Sequence, residues 1–350
     1  MERELQIEVL VNSPGPHDRV RVTEPFGLLK SCDVDVRIHR APFHLPSTIR
    51  PHSLVIWQRP LPESWQQQMN ILRWVRDRGC LLVTEWDDHP DLFPVQIRKQ
   101  LNATNMAALR CCHIIQTSSS KLGEALKAYN PYCIIIENAT ELIPPINLKK
   151  HNTNKPRVFI GNQNRGKDHK QLIQGLNHWC NRDRTLRIVI IQDRELAEAL
   201  PKEQVEFHPT TAYDKYRSLL RGCQIALMPL SKTNGNACKT PIKWIEAASE
   251  SVVCVGGPEL YSKVFNPNKG ILVGEQQSIP YIAEKLWEDS ESRCRIATEA
   301  HRCVKEQHQL IQTNKYRHWM YNQIWRKRRQ LDKKLLERQP KAKTNLPFKS

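Results

Sequence analysis

The stretch that decides the fold runs from Tyr213 to Gly257 and reads YDKYRSLLRGCQIALMPLSKTNGNACKTPIKWIEAASESVVCVGG. Two amphipathic segments, YDKYRSLLRGC and TPIKWIEAASE, alternate in it with two short apolar runs, QIALMPL and SVVCVGG. The spacing of the apolar residues predicts helices for the amphipathic segments, and the apolar runs are typical of buried strands. Strands that alternate with helices form parallel sheets covered by helices on both faces. The stretch therefore predicts part of a doubly wound α/β domain.

The same alternation extends in both directions along the chain. The other predicted strands are LQIEVLVN, VDVRIHRA, SLVIWQRP, CLLVTEWDD, HIIQT, CIIIENATE, RVFIGNQ, LRIVIIQD, VEFHP and ILVGE, and a long helical stretch follows from Ile279 to Arg329. The polar segment PPINLKKHNTNKP interrupts the pattern and is typical of a linker. We therefore predict two Rossmann-like domains, residues 1–143 and 157–325, joined by a linker at 144–156 and followed by a basic tail at 326–350. Ligands of such domains bind at the carboxyl ends of the strands, which predicts a cleft between them.

The bulk composition is that of a folded, water-exposed protein. Hydrophobic residues make up 39% of the 350 residues. The sequence contains neither an apolar run of the ~18 residues that a membrane helix needs nor a signal-peptide pattern. The eleven cysteines have no spacing typical of a zinc site, so we expect mostly buried free thiols. These features together predict a cytoplasmic protein.

The charge is strongly positive and unevenly distributed. The chain has 53 Lys and Arg against 36 Asp and Glu, a net charge of +17, and ten basic against two acidic residues lie between Arg326 and Ser350. A cationic tail favours anionic partners such as a membrane surface or nucleic acid. The alternative is a solvated, partly disordered tail. Nucleic acid is the less favoured partner, because the body lacks a groove-reading motif or an RNA-binding aromatic set.

The strongest candidate site is the segment from Lys239 to Glu246. Thr240 suits an N-cap and Pro241 the first helical position, and the free amides of a helix N-terminus bind anions. Lys239 and Lys243 lie near the positive end of this helix dipole, which is unfavourable unless an anion lies between them. Glu246 shares a face with Lys243 and could accept hydrogen bonds from hydroxyl groups. The alternative is an ordinary surface ion pair between Lys243 and Glu246.

Two loops carry further basic candidates. In FIGNQNRGKDHKQLI, a strand, a turn and a helix form a phosphate-binding pattern, in which Arg165 and Lys167 are the candidate ligands. In SPGPHDRVRVTEP, after the first strand, the candidates are Gly15, Arg19 and Arg21. The alternatives are a basic surface loop for the first segment and a plain loop for the second.

An acidic cluster, EWDDHP, follows the strand CLLVT. Glu85, Asp87 and Asp88 crowd the carboxyl end of this strand, and like charges at close range raise one another's pKa. Such groups suit general acid–base catalysis or the binding of sugar hydroxyls. The alternatives are an Asp-rich turn that caps a helix or a metal site with His89, which is disfavoured because adjacent residues rarely converge on one ion.

Several of these segments resemble one family. The run from Lys243 to Ala248, followed by Ser251–Val253, is similar to the donor-site motif of GT-B fold glycosyltransferases of the retaining group 1 class. TSSSKLGEAL with IIIENATE, and the region from GILVGE to the helix at 293–304, resemble the same family over most of the chain. The resemblance implies a first domain that binds the acceptor, a second domain that binds a nucleotide sugar, and a last helix that crosses back to the first domain.

The resemblance also assigns roles to single residues. Glu246 matches the family's glutamate that binds the ribose of the nucleotide. The family's other glutamate, which contacts the donor sugar, is replaced by Cys238, and Asn236 or Lys239 would take its role. Lys243 would stabilise the diphosphate.

The two basic loops have counterparts in the family as well. Arg165 and Lys167 match positions that face the donor diphosphate, and the loop of Gly15, Arg19 and Arg21 would approach the phosphate and the acceptor. The implied reaction transfers a hexose or similar sugar to a hydroxyl of a glycan, lipid or polysaccharide precursor, with retention and without a metal or other cofactor. The alternatives are a sugar-nucleotide-binding protein without catalysis, favoured by Cys238, and a nucleic-acid-binding protein.

Overall fold

The computed structural model describes residues 5–12, 15, 18–32, 34–42, 48–161, 166–264 and 271–342, with the backbone alone at 262–264. The chain divides into two units. The first comprises Met1–Asn138, Cys238–Thr240 and Leu310–Ser350, and the second comprises Ala139–Ala237 and Pro241–Gln309. Among the described residues, each unit has one six-stranded sheet, and all paired strands are parallel.

The first unit has the strand order β2-β1-β3-β4-β5-β6. Its strands are β1 (Gln6–Val11), β2 (Asp35–Arg40), β3 (Leu54–Gln58), β4 (Leu81–Glu85), β5 (Ile114–Thr117) and β6 (Cys133–Ile135). Its helices are α1 (Glu24–Ser31), α2 (Trp65–Asp77), α3 (Val95–Ala103), α4 (Ala107–Arg110), α5 (Ser120–Leu126), α15 (Leu310–Arg326) and α16 (Arg328–Arg338), numbered along the whole chain. Tighter or wider helical turns cover Arg19–Thr23, Pro90–Leu92 and Pro340–Ala342.

The second unit has the order β12-β11-β10-β7-β8-β9. Its strands are β7 (Arg157–Ile160), β8 (Arg187–Ile191), β9 (Val205–His208), β10 (Ile225–Met228), β11 (Val253–Gly256) and β12 (Ile271–Val273). Its helices are α6 (Gly166–Lys170), α7 (Ile173–Arg182), α8 (Arg194–Glu198), α9 (Tyr213–Arg221), α10 (Asn234–Ala237), α11 (Ile242–Ser249), α12 (Pro258–Val264), α13 (Ile279–Trp287) and α14 (Ser290–Gln307), with 3-10 turns at Lys149–His151, Lys202–Gln204 and Gln276–Ser278. The chain direction along the sheet reverses between β7 and β10, where doubly wound folds bind their ligands.

Local sequence explains where the elements begin and end. The Ser64 hydroxyl accepts from the Gln67 amide and caps α2, and Ser119 caps α5 in the same way, as the serine cluster predicts. Gly79 ends the turn after α2 with φ +69°. A Cβ at Gly79 would lie 2.5 Å from Nδ1 of His52, so both the conformation and the space require glycine.

The carboxyl-terminal segment differs from its predicted form in two ways. The long helical stretch expected at 279–329 consists of four helices, α13 to α16, the last of which extends to Arg338, and residues from Leu310 onward belong to the first unit. The basic tail from Arg326, for which one alternative was a solvated and partly disordered segment, is helical at 328–338, and Asp332 and Leu335 are buried there. Residues 343–350 lie outside the described part.

The predicted linker at 144–156 also has a different structure, since Ala139–Ala237 belongs to the second unit. His151 is fully buried and its Nε2 donates to the Ser251 carbonyl at 3.0 Å. The Lys150 ammonium donates to the carbonyls of Arg221 and Glu250. These polar side chains bind backbone groups of the unit, so the segment is fixed although it lacks an apolar period.

His151 predicts how the stability depends on pH. Burial lowers the pKa of His151 to about 4 from 6.5. Below pH 6.5 this histidine is protonated in the unfolded chain, whereas in the folded protein it stays neutral down to about pH 4. Between these two pH values, acid therefore lowers the free energy of unfolding by up to ~1.4 kcal/mol per pH unit. Denaturant unfolding at pH 7 and pH 5 should show a smaller loss for His151→Gln than for the unmodified protein. An equal loss in both would contradict this role.

Candidate functional site

The loop after β10 lies where the chain direction along the second sheet reverses, and side chains of neighbouring elements fix this loop. Asp168 of α6 accepts from the backbone amide of Ser231 at 3.1 Å and from its hydroxyl. Asn236 donates from Nδ2 to the Ser231 carbonyl at 2.8 Å and is 3% exposed. Asn236 thus orders the loop after β10. Lys167 lies on α6 with an exposed side chain, and Arg165 lies outside the described residues.

The same edge of the sheet is compact at Gly257. Its amide donates to the Met228 carbonyl at 3.0 Å, and a Cβ at Gly257 would lie 2.7 Å from the Leu230 carbonyl oxygen. A side chain would therefore force the end of β11 away from the loop after β10. This close approach explains the glycine after SVVCVG.

A buried carboxylate lies in the second turn of α11. Glu246 is 1% exposed, and its Oε2 accepts from the Tyr216 hydroxyl and from Lys243 Nζ, each at 3.1 Å. Lys243 Nζ also lies 4.2 Å from the centroid of the Tyr216 ring, a cation–π contact. Burial, together with the Glu246 charge, raises the pKa of Tyr216, so the phenol keeps its proton and donates. The ion pair of the alternative interpretation is therefore present, but its carboxylate is buried while its lysine side chain is 35% exposed.

The start of α11 differs from the sequence prediction. Pro241, not Thr240, is the N-cap, and no side chain caps the helix. The Thr240 hydroxyl instead accepts from Asn138 Nδ2 at 2.7 Å. Lys239 pairs with Asp88 at 2.7 Å within the first unit. Thr240 was predicted as the cap because nothing in the local sequence reveals a partner 102 positions earlier.

Cys238 is a core residue of the first unit. Its side chain is 4% exposed and packs in the apolar cluster that also contains Leu122 and Leu126. The Ser119 hydroxyl donates to the Cys238 carbonyl at 2.6 Å. Burial raises the pKa of the Cys238 thiol. The side chain at this position thus contributes apolar packing.

The acidic cluster after β4 is balanced by cations. Glu85 is buried and forms an ion pair with Arg21. Asp87 receives two bonds from Arg59, at 2.5 and 2.7 Å, and Asp88 pairs with Arg59 at 3.1 Å. Burial acts to lower the pKa of Arg59, but the Asp87 carboxylate raises it above its usual range. The expected crowding of like charges is therefore replaced by a network of opposite charges.

The first loop contributes one of its three candidates to this network. Arg21 is buried, donates to Asn138 Oδ1 at 2.9 Å, and has its pKa lowered to about 10 by burial. Arg19 is half exposed and pairs with Glu24 at 2.9 Å. The Gly15 carbonyl accepts from the Asp18 amide at 2.9 Å.

Sequence reasoning missed three residues of these clusters. Arg59 directly follows β3 and Asn138 lies just after β6, so their positions at strand ends were a usable signal. Tyr216 lies inside α9, where its spacing indicates only an apolar face, so no signal was present.

The described residues contain no group of three or more His, Cys, Asp or Glu side chains placed to hold a metal ion. Among the described helices, none combines the length and apolar character needed to cross a membrane. All eleven cysteines are free thiols, and eight of them are buried, as expected.

The chain is similar to known proteins in structure but not in sequence. No protein-family model matches the chain, and no curated protein matches it in sequence. HepE from Anabaena, solved with UDP, superposes with a TM-score of 0.64 at 14% identity, over 91% of this chain and 100% of that one. A glycosyltransferase from Rickettsia africae gives 0.65 at 12% identity, over 92% and 98%. Sucrose-phosphate synthase from Thermosynechococcus elongatus gives 0.66 at 11% identity, over 91% and 99%.

These similarities cover nearly the whole of each chain, including both parallel sheets. The protein therefore has the two-domain GT-B fold of glycosyltransferases, as the sequence resemblance implied. At these identities the comparison establishes the fold, and the reaction is inferred from the residues.

Proposed function

We propose that the protein is a glycosyltransferase that moves a sugar from a nucleoside diphosphate sugar to a hydroxyl acceptor. The observation that carries the proposal is the buried carboxylate of Glu246 in α11, which is bound by Lys243 of the same helix and by Tyr216 of α9. This buried acid lies on the helix that follows β10, next to the reversal in strand order between β7 and β10, where doubly wound folds bind their ligands. The GT-B neighbour HepE, solved with UDP, supports the same class of donor.

The donor would bind to the second unit through three kinds of contact. Glu246 would accept hydrogen bonds from the ribose hydroxyls. Lys243, whose side chain is 35% exposed, would pair with the diphosphate. The first amides of α11 have no side-chain cap and would donate to the same phosphate. Lys167 and Arg165 remain our candidates for additional positive charge, and Asn236 supports the loop after β10.

The reaction breaks the bond between the sugar and the diphosphate and forms a bond to the acceptor oxygen. Negative charge grows on the leaving diphosphate, so cations fixed beside it lower the barrier. In the first unit, Asp87 and Asp88 are our candidates for binding acceptor hydroxyls, and Arg59 orients both carboxylates. Glu85 belongs to the same cluster and forms an ion pair with Arg21. We also propose that the donor carries a hexose, that the acceptor is a glycan, a lipid or a polysaccharide precursor, and that the configuration is retained. The proposed reaction needs no metal, and the proposed location is the cytoplasm.

A donor screen tests the function directly. We expect one nucleotide sugar among UDP-, GDP- and ADP-linked donors to raise the melting temperature, because a ligand that binds the folded state stabilises it by RT ln(1 + [L]/Kd), about 2.7 kcal/mol at 100 Kd. Release of the free nucleotide is then measured with simple glycan and lipid acceptors. If no donor stabilises the protein, the proposal is wrong.

A second candidate is a protein that binds the nucleotide sugar without transferring it. The burial of Cys238 in the apolar core favours this alternative, because the family's glutamate at this position contacts the donor sugar. Donor-dependent stabilisation without nucleotide release, across a broad acceptor panel, would support it. Nucleotide release coupled to a glycosylated product would exclude it.

A further inference from the structure

The inward-facing side chains of α15 contact residues of the first unit. Asn314 donates to the Pro25 carbonyl at 2.7 Å, and the Tyr321 hydroxyl donates to Gln116 Oε1 at 2.7 Å. Tyr321 also stacks on Phe26 with ring centroids 6.3 Å apart. The helix therefore has a fixed rotation, and its opposite face points to solvent.

That opposite face carries large apolar side chains. Trp319 is 53% exposed, Tyr316 43% and Ile311 39%. The rings of Tyr316 and Trp319 lie 5.8 Å apart and form one continuous apolar surface. Exposed aromatic pairs of this kind mark interaction sites, because burial of their area is the favourable state.

Basic residues accompany the aromatic pair along the same stripe. Ile311, Lys315, Trp319 and Arg326 follow one another at i, i+4, i+8 and i+15, which places them on one side of the helix. From Gln307 to Leu331 the sequence has six Lys or Arg and no Asp or Glu. Lys327, Arg329 and Lys333 are exposed basic residues at the start of α16 and directly before it.

We propose that this face of α15, together with the exposed basic residues at the start of α16, docks the protein on an anionic lipid membrane. Indole and phenol rings favour the boundary between headgroups and acyl chains, since one part of each ring is apolar and the other is polar. Lysine and arginine next to them pair with lipid phosphates while their stems cover apolar surface. The absence of acidic residues from the segment removes the repulsion that an anionic surface would otherwise meet.

This surface is separate from the residues of the proposed donor site, so the inference stands independently of the proposed function. It also differs from the sequence expectation of a basic tail, because the described part of that tail is an ordered helix and the aromatic pair lies before it. Single-stranded nucleic acid could also stack on aromatic rings beside basic residues, and the experiment distinguishes the two.

Vesicle co-sedimentation of the full chain tests the proposal at low salt. We expect binding to vesicles with a phosphatidylglycerol fraction and little binding to phosphatidylcholine alone. Each basic residue near an anionic surface contributes about fivefold to binding, so Lys315→Glu with Lys327→Glu should weaken binding by more than about tenfold. Tyr316→Ala with Trp319→Ala should weaken it at constant charge.

Matched controls separate the surface from net charge and general hydrophobicity. Arg184→Glu with Arg194→Glu makes the same change in charge on exposed residues of the second unit, and Tyr281→Ala removes another exposed ring. These variants should bind vesicles as the unmodified protein does, and all variants should keep its melting temperature. The proposal would be overturned if the control variants lost as much vesicle binding, or if the unmodified protein did not bind vesicles. It would also be overturned if the α15 and α16 variants lost binding to single-stranded RNA but kept their binding to vesicles.

Discussion

Replacing Lys243 with alanine is expected to weaken binding of the nucleotide sugar by about 10- to 100-fold. A hydrogen bond to a charged group contributes about 1.5–3 kcal/mol, and every 1.4 kcal/mol is a factor of ten in affinity. Lys243 also balances the buried Glu246 at 3.1 Å. Glu246→Gln should lose a similar amount, since it removes the charge that accepts from the ribose but keeps the size of the side chain.

The chain offers a closely matched control for Lys243. Lys334 and Glu337 form the same pair, lysine first and glutamate three positions later, at 3.0 Å on the solvent-facing side of α16 in the first unit. Lys334→Ala should therefore leave donor affinity unchanged. Affinity is measured by titration calorimetry with the donor identified in the screen. If that donor binds all three variants as it binds the unmodified protein, the assignment of the donor site to α11 is wrong even though the function is right.

Removing the Asp332 carboxylate is expected to destabilise the first unit by about 3–5 kcal/mol, the usual cost of leaving a buried charge unpaired. Arg76 binds Asp332 through Nε at 2.5 Å and Nη2 at 2.9 Å, and His113 Nε2 lies 3.3 Å from the same carboxylate. Burial acts to raise the pKa of Asp332, but hydrogen bonds from Arg76 and His113 lower it to about 2. The carboxylate therefore stays charged, and its contribution to stability is present above pH 3.8 and is lost as the pH falls towards about 2.

Thermal and denaturant unfolding of Asp332→Ala measure this effect. Glu337→Ala is the control, because it removes an exposed acid from the same helix and should change stability by no more than about 0.5 kcal/mol. A double replacement of Arg76 and Asp332 by Met and Leu should recover much of the loss, since it leaves no unpaired charge. If Asp332→Ala and Glu337→Ala had equal effects, the buried pair would not stabilise the fold.

The sequence was sufficient to predict the fold because most strands are short apolar runs. QIALMPL and SVVCVGG became β10 and β11, and the serine cluster before α5 supplied the cap. Such signals lie within about ten neighbouring residues, so no tertiary information is needed. The position of the last helices in the first unit followed only from the resemblance to a known family.

The candidate site was predicted less completely, because its side chains are paired across long sequence distances. Asp87 receives both its strong bonds from Arg59, 28 positions earlier. Glu246 was correctly placed near Lys243, since three positions on a helix fix that neighbour, but Tyr216 comes from another helix. Local patterns therefore identified which residues carry charge, whereas tertiary structure decided which charges are balanced.

The discontinuity of the first unit has a consequence for how the protein is made. A ribosome delivers β1 to β6 first, then the entire second unit, and only afterwards α15 and α16. Until then Phe26 lacks the Tyr321 ring and Arg76 lacks the carboxylate 256 positions later. Apolar surface of the nascent first sheet therefore stays exposed while residues 139–309 are synthesised. Apolar surface that is exposed in this way makes an incompletely folded chain prone to aggregation.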